Sequence, residues 1–564
     1  MHAMDAHWKK FAETGYDENG VLNKFRISAG ENYNFGYDVI DEFAREDPER
    51  EALFWVDTKG GERSFTFREL SVYSNKAANL FLSKGIKKGD MVMLVLKRNY
   101  QFWAAIIGLM KIGAVAIPAT HMLTAHDFLY RFRESDTKSV IATSDNPEIA
   151  VNCDKADREL GGVLTAKLVA SCEKNGVPAD TASGWEDFDK LLDAQPETLT
   201  RIPTSADEMM LLYFTSGTSG YPKMVAHNHR YGVAHFQTAL WHNVKPRSRH
   251  LTIADTGWGK AAWGKLFGQM ALGAAVFVYD YDKFVPGDIL SLIARYKIET
   301  LCAPPTMFRF FIQEDLSKFD LSSLTYTTIA GEALEPEVYN KWLQFTGLKL
   351  MEGFGQTETT CMLANFPGME PRPGSMGKPA PLYNIDLVDE NGHSVPPGVT
   401  GTIVIRAERE KGVPGTVDGL FGGYYRNMEL TDSCWQGGLY STGDTAWKDE
   451  DGYYWYVGRI DDVIKSSGYR IGPFEVESVL STHPAVVECA VTGVPDPVRG
   501  FAVKATVVLA KGYTGSDALT AELQEHVKKH TAPYKYPRII EFVPSLPKTI
   551  SGKIRRTEIR ERDN

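Results

Sequence analysis

Cysteine is scarce in this chain and no two cysteines stand close together. Cys153, Cys172, Cys302, Cys361, Cys434 and Cys489 contain no CxxC pair among them, so neither a zinc site nor a disulfide framework is indicated. They read as small buried hydrophobes in a reducing compartment. A long apolar run is also missing. The most apolar stretch, residues 102–119, is interrupted by Lys111 and Pro118 and falls short of the run of about 18 apolar residues that would cross a membrane. Nor is there an excess of positive charge: 62 Lys plus Arg stand against 72 Asp plus Glu, a net charge of -10, which argues against broad binding of nucleic acid or of an anionic membrane. The first ten residues are polar and include Asp5, unlike an apolar secretion signal or an Arg-rich transit peptide, and the expectation is a cytoplasmic protein.

What is present is a chain of 564 residues, 43% of them hydrophobic, enough for several domains at roughly 100 to 200 residues each. Between residues 50 and 355 short apolar runs (91–96, 115–118, 167–170, 209–214, 275–279, 300–303, 327–330) alternate with amphipathic segments (100–112, 128–133, 286–296, 336–345). That alternation predicts an α/β fold of parallel sheets covered by helices. Ligands of such folds sit beyond the carboxyl ends of strands. From about residue 370 Pro and Gly become dense and strands such as 402–406 are short, predicting an antiparallel, barrel-like subdomain over 370–460. Beyond Gly458 the order helix 473–481, strand 486–491, strand 502–509, helix 516–530, strand 538–542 predicts a small α+β domain. The expected division is a large N-terminal domain, 1–460, and a C-terminal domain, 461–564. Residues 171–184 read as a surface insertion.

The strongest chemical signal is Thr215-Ser216-Gly217-Thr218-Ser219-Gly220-Tyr221-Pro222-Lys223, directly after an apolar run. Four hydroxyl residues, two glycines and a lysine after a strand make a loop whose amides and hydroxyls can surround phosphate oxygens. A shorter stretch of this kind would be an ordinary Ser/Gly turn. A Walker A loop needs Gly-Lys-Ser/Thr, whereas Tyr221 and Pro222 separate Gly220 from Lys223 and Met224 follows.

The block instead resembles the phosphate loop of the adenylate-forming superfamily of acyl-CoA synthetases, luciferases and adenylation domains. Further blocks of that family occur in the expected order: Gly331-Glu332-Ala333; Gly353-Phe354-Gly355-Gln356-Thr357-Glu358; Tyr440-x-Thr442-Gly443-Asp444; Gly458-Arg459-x-Asp461-Asp462 through Gly468-Tyr469-Arg470; and Ser551-Gly552-Lys553. The segment Asp255-Thr256-Gly257-Trp258-Gly259-Lys260, with the chain length, is similar to the medium-chain acyl-CoA synthetase branch.

The resemblance implies a reaction in which a carboxylate attacks the α-phosphorus of ATP, pyrophosphate leaves, and CoA takes the acyl group from the adenylate. Such substitution depends on positioning and on neutralising charge. The resemblance assigns Thr215 to Gly220 and Lys223 to the β- and γ-phosphates, and Glu358 to a Mg2+ bridging phosphate oxygens, as a hard oxygen ligand. It assigns Thr357 to the α-phosphate or substrate carboxylate, and Gly331, Glu332, Ala333 and Glu352, Gly353, Phe354, Gly355 and Gln356 to the adenine slot. Asp444 would accept from both ribose hydroxyls, with Arg459 beside it. Lys553 would carry adenylation, a flexible ammonium following developing charge; by composition alone it belongs to a solvated basic tail. Asp461 corresponds to the family's hinge. After rotation Ser467, Gly468 and Tyr469 would line a pantetheine tunnel, with Arg499 near the CoA phosphates.

Trp258, Gly331, Arg470 and apolar neighbours would form the acyl pocket, and Trp258 with Trp263 suggests a bounded slot for short- to medium-chain, branched or aromatic acids. Transfer to a carrier-protein thiol is the alternative. A third reading rests on Gly257-Trp258-Gly259-Lys260-Ala261-Ala262, which fits a dinucleotide fingerprint with Asp280 as the ribose acid. The partners expected are a carboxylic acid, ATP and CoA, with no nucleic acid and no membrane span; a homodimer is compatible with the sequence but carried by no motif in it.

Overall fold

The computed structural model describes residues 2–171, 184–215, 221–332, 334, 336–409, 411–412, 417–467, 469–548 and 554–563. The expected parallel sheets are two. In the first, strands Met209–Thr215, Val115–Pro118, Met91–Val95, Thr137–Thr143, Ala166–Ala170 and Glu186–Asp187 run parallel, and Lys223–Asn228 adds antiparallel to Met209–Thr215. Met91–Val95 is buried at every residue, the uninterrupted apolar signature of a strand covered on both faces. Helix Gln101–Ile112 covers it and is itself buried throughout, so Lys111 must find partners inside. Asp41 and Asn75 supply them at 2.6 and 2.7 Å. Gly113 ends this helix in the left-handed conformation, φ 70°, which a glycine adopts without steric cost.

The second sheet is parallel through Glu51–Asp57, Ala275–Asp280, Arg249–Thr252, Thr300–Ala303, Tyr326–Ala330 and Leu350–Gly355. It then turns antiparallel through Cys361–Ala364, Ser375–Pro379, Tyr454–Arg459, Leu439–Lys448, Gly401–Arg406 and Ile385–Val388. The antiparallel strands expected after residue 370 are therefore present, and they continue the parallel sheet edge to edge. Helix Arg230–Trp241 is buried at ten of its twelve positions. Its Gln237 donates to the Cys361 carbonyl and accepts from the Leu382 amide, tying the junction of the two halves to the helix.

The C-terminal segment has its own sheet, in which Val486–Asp496 and Gly500–Leu509 pair antiparallel and Ile539–Phe542 joins Gly500–Leu509 in parallel. Helices Pro473–Ser481 and Asp517–His530 bury Val476, Leu480, Leu519, Leu523 and Val527 against it. No helix among the described residues is long and apolar enough to cross a membrane.

Candidate active site

The carboxyl ends of Met209–Thr215, Tyr326–Ala330 and Leu350–Gly355 open on one cleft of about 1170 Å³. Thr215 and Lys223 are directly paired across the hairpin that carries the hydroxyl-rich loop. The Lys223 ammonium lies 5.1 Å over the Tyr424 ring, because Lys223–Asn228 pairs with Gly423–Tyr424 at Val225. Tyr424 in turn donates to Glu358 Oε1 at 2.8 Å. Burial and then the Glu358 charge hold the Tyr424 phenol protonated, far above its ordinary range. Lysine and carboxylate thus meet on one tyrosine.

Across the cleft, Asp444 is 4% exposed and surrounded by donors. Gln356 Nε2 donates to Oδ2, Tyr456 donates to Oδ1 at 3.2 Å, and the Arg459 guanidinium stands 3.5 Å away. Asp444 and Arg459 are direct cross-strand partners. Gly443, just before Asp444, has φ 73°, and a Cβ there would come within 2.7 Å of the Arg459 guanidinium. Burial opposes the Arg459 charge, but Asp444 and Asp461 outweigh it and raise its pKa.

The floor is built from close approaches. Gly331 turns the chain at φ 106° after Tyr326–Ala330. A Cβ on Gly353 would fall 2.6 Å from Trp241, and one on Gly355 would fall 2.2 Å from the Thr360 oxygen and 2.6 Å from Trp263. Glu332 accepts from the Thr306 hydroxyl at 2.6 Å. Behind the floor, the buried His227 ring contacts the Thr357 carbonyl oxygen through Nε2 at 2.7 Å.

Asp461, Asp462, Lys548, Arg555, Arg556 and Arg560 line the same cleft. Arg556 binds Glu477 at 2.6 Å and Arg560 binds Asp462. Ser467, Tyr469 and Arg499 are not among the lining residues; the Arg499 guanidinium donates to Ser467 Oγ at 3.2 Å, and Tyr469 is stacked on Tyr534 at 4.0 Å. Of Arg470 the backbone alone is described, in Tyr469–Ile471. Ser216, Gly217, Thr218, Ser219, Gly220, Ala333, Gly468 and Lys553 lie outside the described residues.

Residues 40–425 match the AMP-binding enzyme family and residues 475–553 match the AMP-binding enzyme C-terminal domain. The chain belongs to the AMP-binding enzyme family. It is 41% identical over 549 residues to the human mitochondrial acyl-coenzyme A synthetase ACSM3, covering 96% of this chain and 91% of that protein. It is similar to the solved structure of the anthranilate CoA ligase AuaEII in complex with anthranoyl-AMP, at TM-score 0.83 and 29% identity over 95% of this chain and 98% of that one. A benzoate CoA ligase from Burkholderia xenovorans LB400 superposes at TM-score 0.78 with 26% identity, over 94% and 100% of the two chains.

The dinucleotide reading fails on geometry as well as on membership of the AMP-binding enzyme family. A Cβ on Gly257 would lie 2.3 Å from the Ala119 carbonyl carbon, so that glycine serves backbone packing. The helix after it, Lys260–Gly264, has five residues, and Asp280 is buried against Lys97 at 3.0 Å.

Trp258 is half-buried and is not among the cleft residues; Trp263 and Lys260 are. Tyr424, Tyr456 and His227 escaped the sequence reading. Gly423-Tyr424, apart from every motif used, offered no signal without the strand pairing that brings it to Lys223.

Proposed function

We propose that the protein is an ATP-dependent acyl-CoA synthetase, which activates a carboxylic acid as its acyl-adenylate and transfers the acyl group to CoA with release of AMP and pyrophosphate. The observation that carries this is the convergence on one cleft of the Thr215/Lys223 hairpin, Glu358 and the Asp444–Gln356–Arg459 cluster. A triphosphate needs cations and amides at one end, and a ribose needs a fixed acceptor at the other.

Mg2+ carried by ATP would neutralise the β- and γ-phosphates. Glu358 fits as its protein ligand: Tyr424 holds one oxygen, and no three His, Cys, Asp or Glu among the described residues form a cage of their own. A substrate-borne Mg2+ needs only one or two carboxylates. Lys223 and the hydroxyl loop would hold the leaving pyrophosphate, Asp444 the ribose hydroxyls, and Thr357 the carboxylate.

The substrate carboxylate oxygen forms a bond to the α-phosphorus while the α–β bridge oxygen leaves with its electron pair. Lys553 would follow the charge that develops between them. The thiol sulfur of CoA then attacks the carbonyl carbon, its proton departs, and the bond to AMP breaks. Between the two steps the C-terminal domain, 461–564, would turn about Asp461, withdrawing Lys553 and presenting Ser467, Gly468, Tyr469 and Arg499 to CoA. Support for two faces is the separation just described, with Lys548, Arg555, Arg556 and Arg560 on the cleft and the Ser467–Arg499 pair away from it.

Gly331 and Trp263 on the cleft wall support a short- to medium-chain, branched or aromatic acid. The free thiols of Cys153, Cys302, Cys361 and Cys434 support a reducing compartment such as the cytoplasm.

Pyrophosphate release from MgATP, measured over straight, branched and aromatic acids with and without CoA, tests the reading. Acid-dependent turnover that requires CoA and yields AMP is expected. Release without a CoA thioester would move the acceptor to a carrier protein, and no release with any acid would refute the synthetase.

A further inference from the structure

Tyr424 stands between a cation and an anion that do not meet. The Lys223 ammonium lies 5.1 Å over its ring, its hydroxyl donates to Glu358 Oε1 at 2.8 Å, and no ion pair among the described residues joins Lys223 to Glu358. All three residues line the cleft. A direct ion pair would neutralise both charges and turn them away from a ligand. An aromatic face attracts an ammonium and a hydroxyl satisfies a carboxylate, and both are neutral partners that leave the charges for a ligand.

The chain fixes this tyrosine from three directions. On one side Gly422 donates to the Ala226 carbonyl at 2.9 Å and Tyr425 to the Met224 carbonyl at 2.8 Å, locking the segment to the strand that Lys223 opens. On another the Phe421 amide donates to the Glu358 carbonyl at 2.8 Å, which ties the Glu358 main chain to the same segment. On the third the Tyr424 amide donates to Thr431 Oγ1 at 2.9 Å. The Phe421 ring stands edge to face with that of Tyr424 at 4.9 Å, and Tyr424 is buried. The phenol's other polar neighbour is the Cys434 thiol.

We infer that Tyr424 is a positioning residue for ATP: its ring holds the Lys223 ammonium for the phosphates, and its hydroxyl holds the Glu358 carboxylate for the Mg2+ that they carry. The inference rests on the synthetase reading above and adds to that same site a residue that acts through Lys223 and Glu358. The two halves of the side chain are separable, since the ring serves ATP in any form and the hydroxyl serves only the metal-bound form.

The test is calorimetric titration of wild type, Tyr424→Phe and Tyr424→Leu with ATP, once with Mg2+ and once with EDTA, each variant shown to be folded by its thermal midpoint. Tyr424→Phe keeps the ring and is expected to weaken MgATP binding about 10- to 100-fold, the usual effect of removing the outer partner of a metal ligand, while metal-free ATP stays within about twofold. Tyr424→Leu loses the ring as well and is expected to fall about 2- to 30-fold below Tyr424→Phe with both forms of ATP, the range of a cation held on an aromatic face. Equal weakening of both forms by Tyr424→Phe overturns the inference, because a merely structural tyrosine would act in that way. MgATP affinity unchanged in Tyr424→Phe overturns it too, as does Tyr424→Leu binding as tightly as Tyr424→Phe. In each of these cases wild type still binds MgATP and this inference falls alone, whereas a wild type that binds neither form of ATP overturns the synthetase reading with it.

Discussion

His227 Nε2 stands 2.7 Å from the main-chain oxygen of Thr357, with its ring stacked on Tyr231 at 3.7 Å and 19°. A carbonyl oxygen only accepts, so Nε2 carries the proton. The ring is neutral, because burial pushes its pKa down to about 3. Leaving a buried carbonyl without its donor costs about 1–3 kcal/mol. His227→Phe is therefore expected to lower the rate of acyl-adenylate formation about tenfold or more, and His227→Asn, whose amide donates, to recover part of it. Equal rates in the two variants would show that this hydrogen bond does not position Thr357.

The same ring belongs to a set of buried histidines that burial keeps neutral. His229 is held down to about 4 and His250 to about 3, and His235 and His242 lie well below their ordinary value. Folded pKa values below the unfolded value of about 6.5 mean that the unfolded chain binds more protons at lower pH. Their contribution to stability is complete above pH 6.5 and is lost as pH falls toward 4. The urea midpoint should drop steeply between pH 7 and 5, with net proton uptake on unfolding at pH 5. A flat midpoint over that interval would contradict neutral buried rings.

Asp444, proposed above as the ribose acceptor, is held by Gln356, Tyr456 and Arg459, so its carboxylate is fixed in place. Asp444→Ala should raise KM for ATP about 10- to 100-fold, as expected for charge-assisted hydrogen bonds. With 2′-deoxy-ATP the penalty should shrink, since one of the two hydroxyls is already gone. An equal penalty for both nucleotides would remove Asp444 from the ribose.

Lys553→Ala is expected to abolish nearly all adenylation while sparing thioester formation from supplied acyl-adenylate, and Gly468→Trp to do the opposite. Stopped-flow measurement of the two half-reactions checks both variants. Equal loss in both half-reactions would end the two-pose mechanism.

Much of this molecule was legible from residue order, and for a local reason. The apolar runs at 91–96 and 300–303 became strands because each is wholly buried, and 209–214 did so with Met210 to Tyr213 buried at its centre. The motif blocks marked Gln356 and Glu358, which follow the end of Leu350–Gly355, Arg459, which ends Tyr454–Arg459, and Asp444, its cross-strand partner inside Leu439–Lys448. The rest depended on long-range pairing. Nothing local announces that Leu363 pairs with Pro379 and Gly377 with Tyr454, which fuses the antiparallel strands to the parallel sheet. Tyr424 reaches Lys223 only through the Val225–Tyr424 register. Trp263 and Lys260 replace Trp258 on the cleft wall because a five-residue helix turns them inward, too short a segment to show a periodicity.

The segment proposed as the hinge is gripped from both sides. Arg459 reaches Asp461 at 3.6 Å and Asp444 at 3.5 Å, so the proposed ribose acceptor and the proposed hinge share one guanidinium. On the other side Arg560, from helix Arg556–Asp563, binds the Asp462 carboxylate and touches the Asp461 carbonyl at 3.4 Å. These contacts hold Arg556 and Arg560 at the cleft, and the rotation about Asp461 proposed above would break them. The Arg560 pair is partly exposed, with side chains 24% and 14% accessible, so its worth is about 1 kcal/mol and falls with salt. Arg560→Ala is therefore expected to slow acyl-adenylate formation several-fold and to leave thioester formation from supplied acyl-adenylate unchanged or faster. Raising ionic strength should narrow the gap between variant and wild type. If Arg560→Ala slowed both half-reactions alike, the pair would serve the stability of the C-terminal domain and not the choice between its two faces.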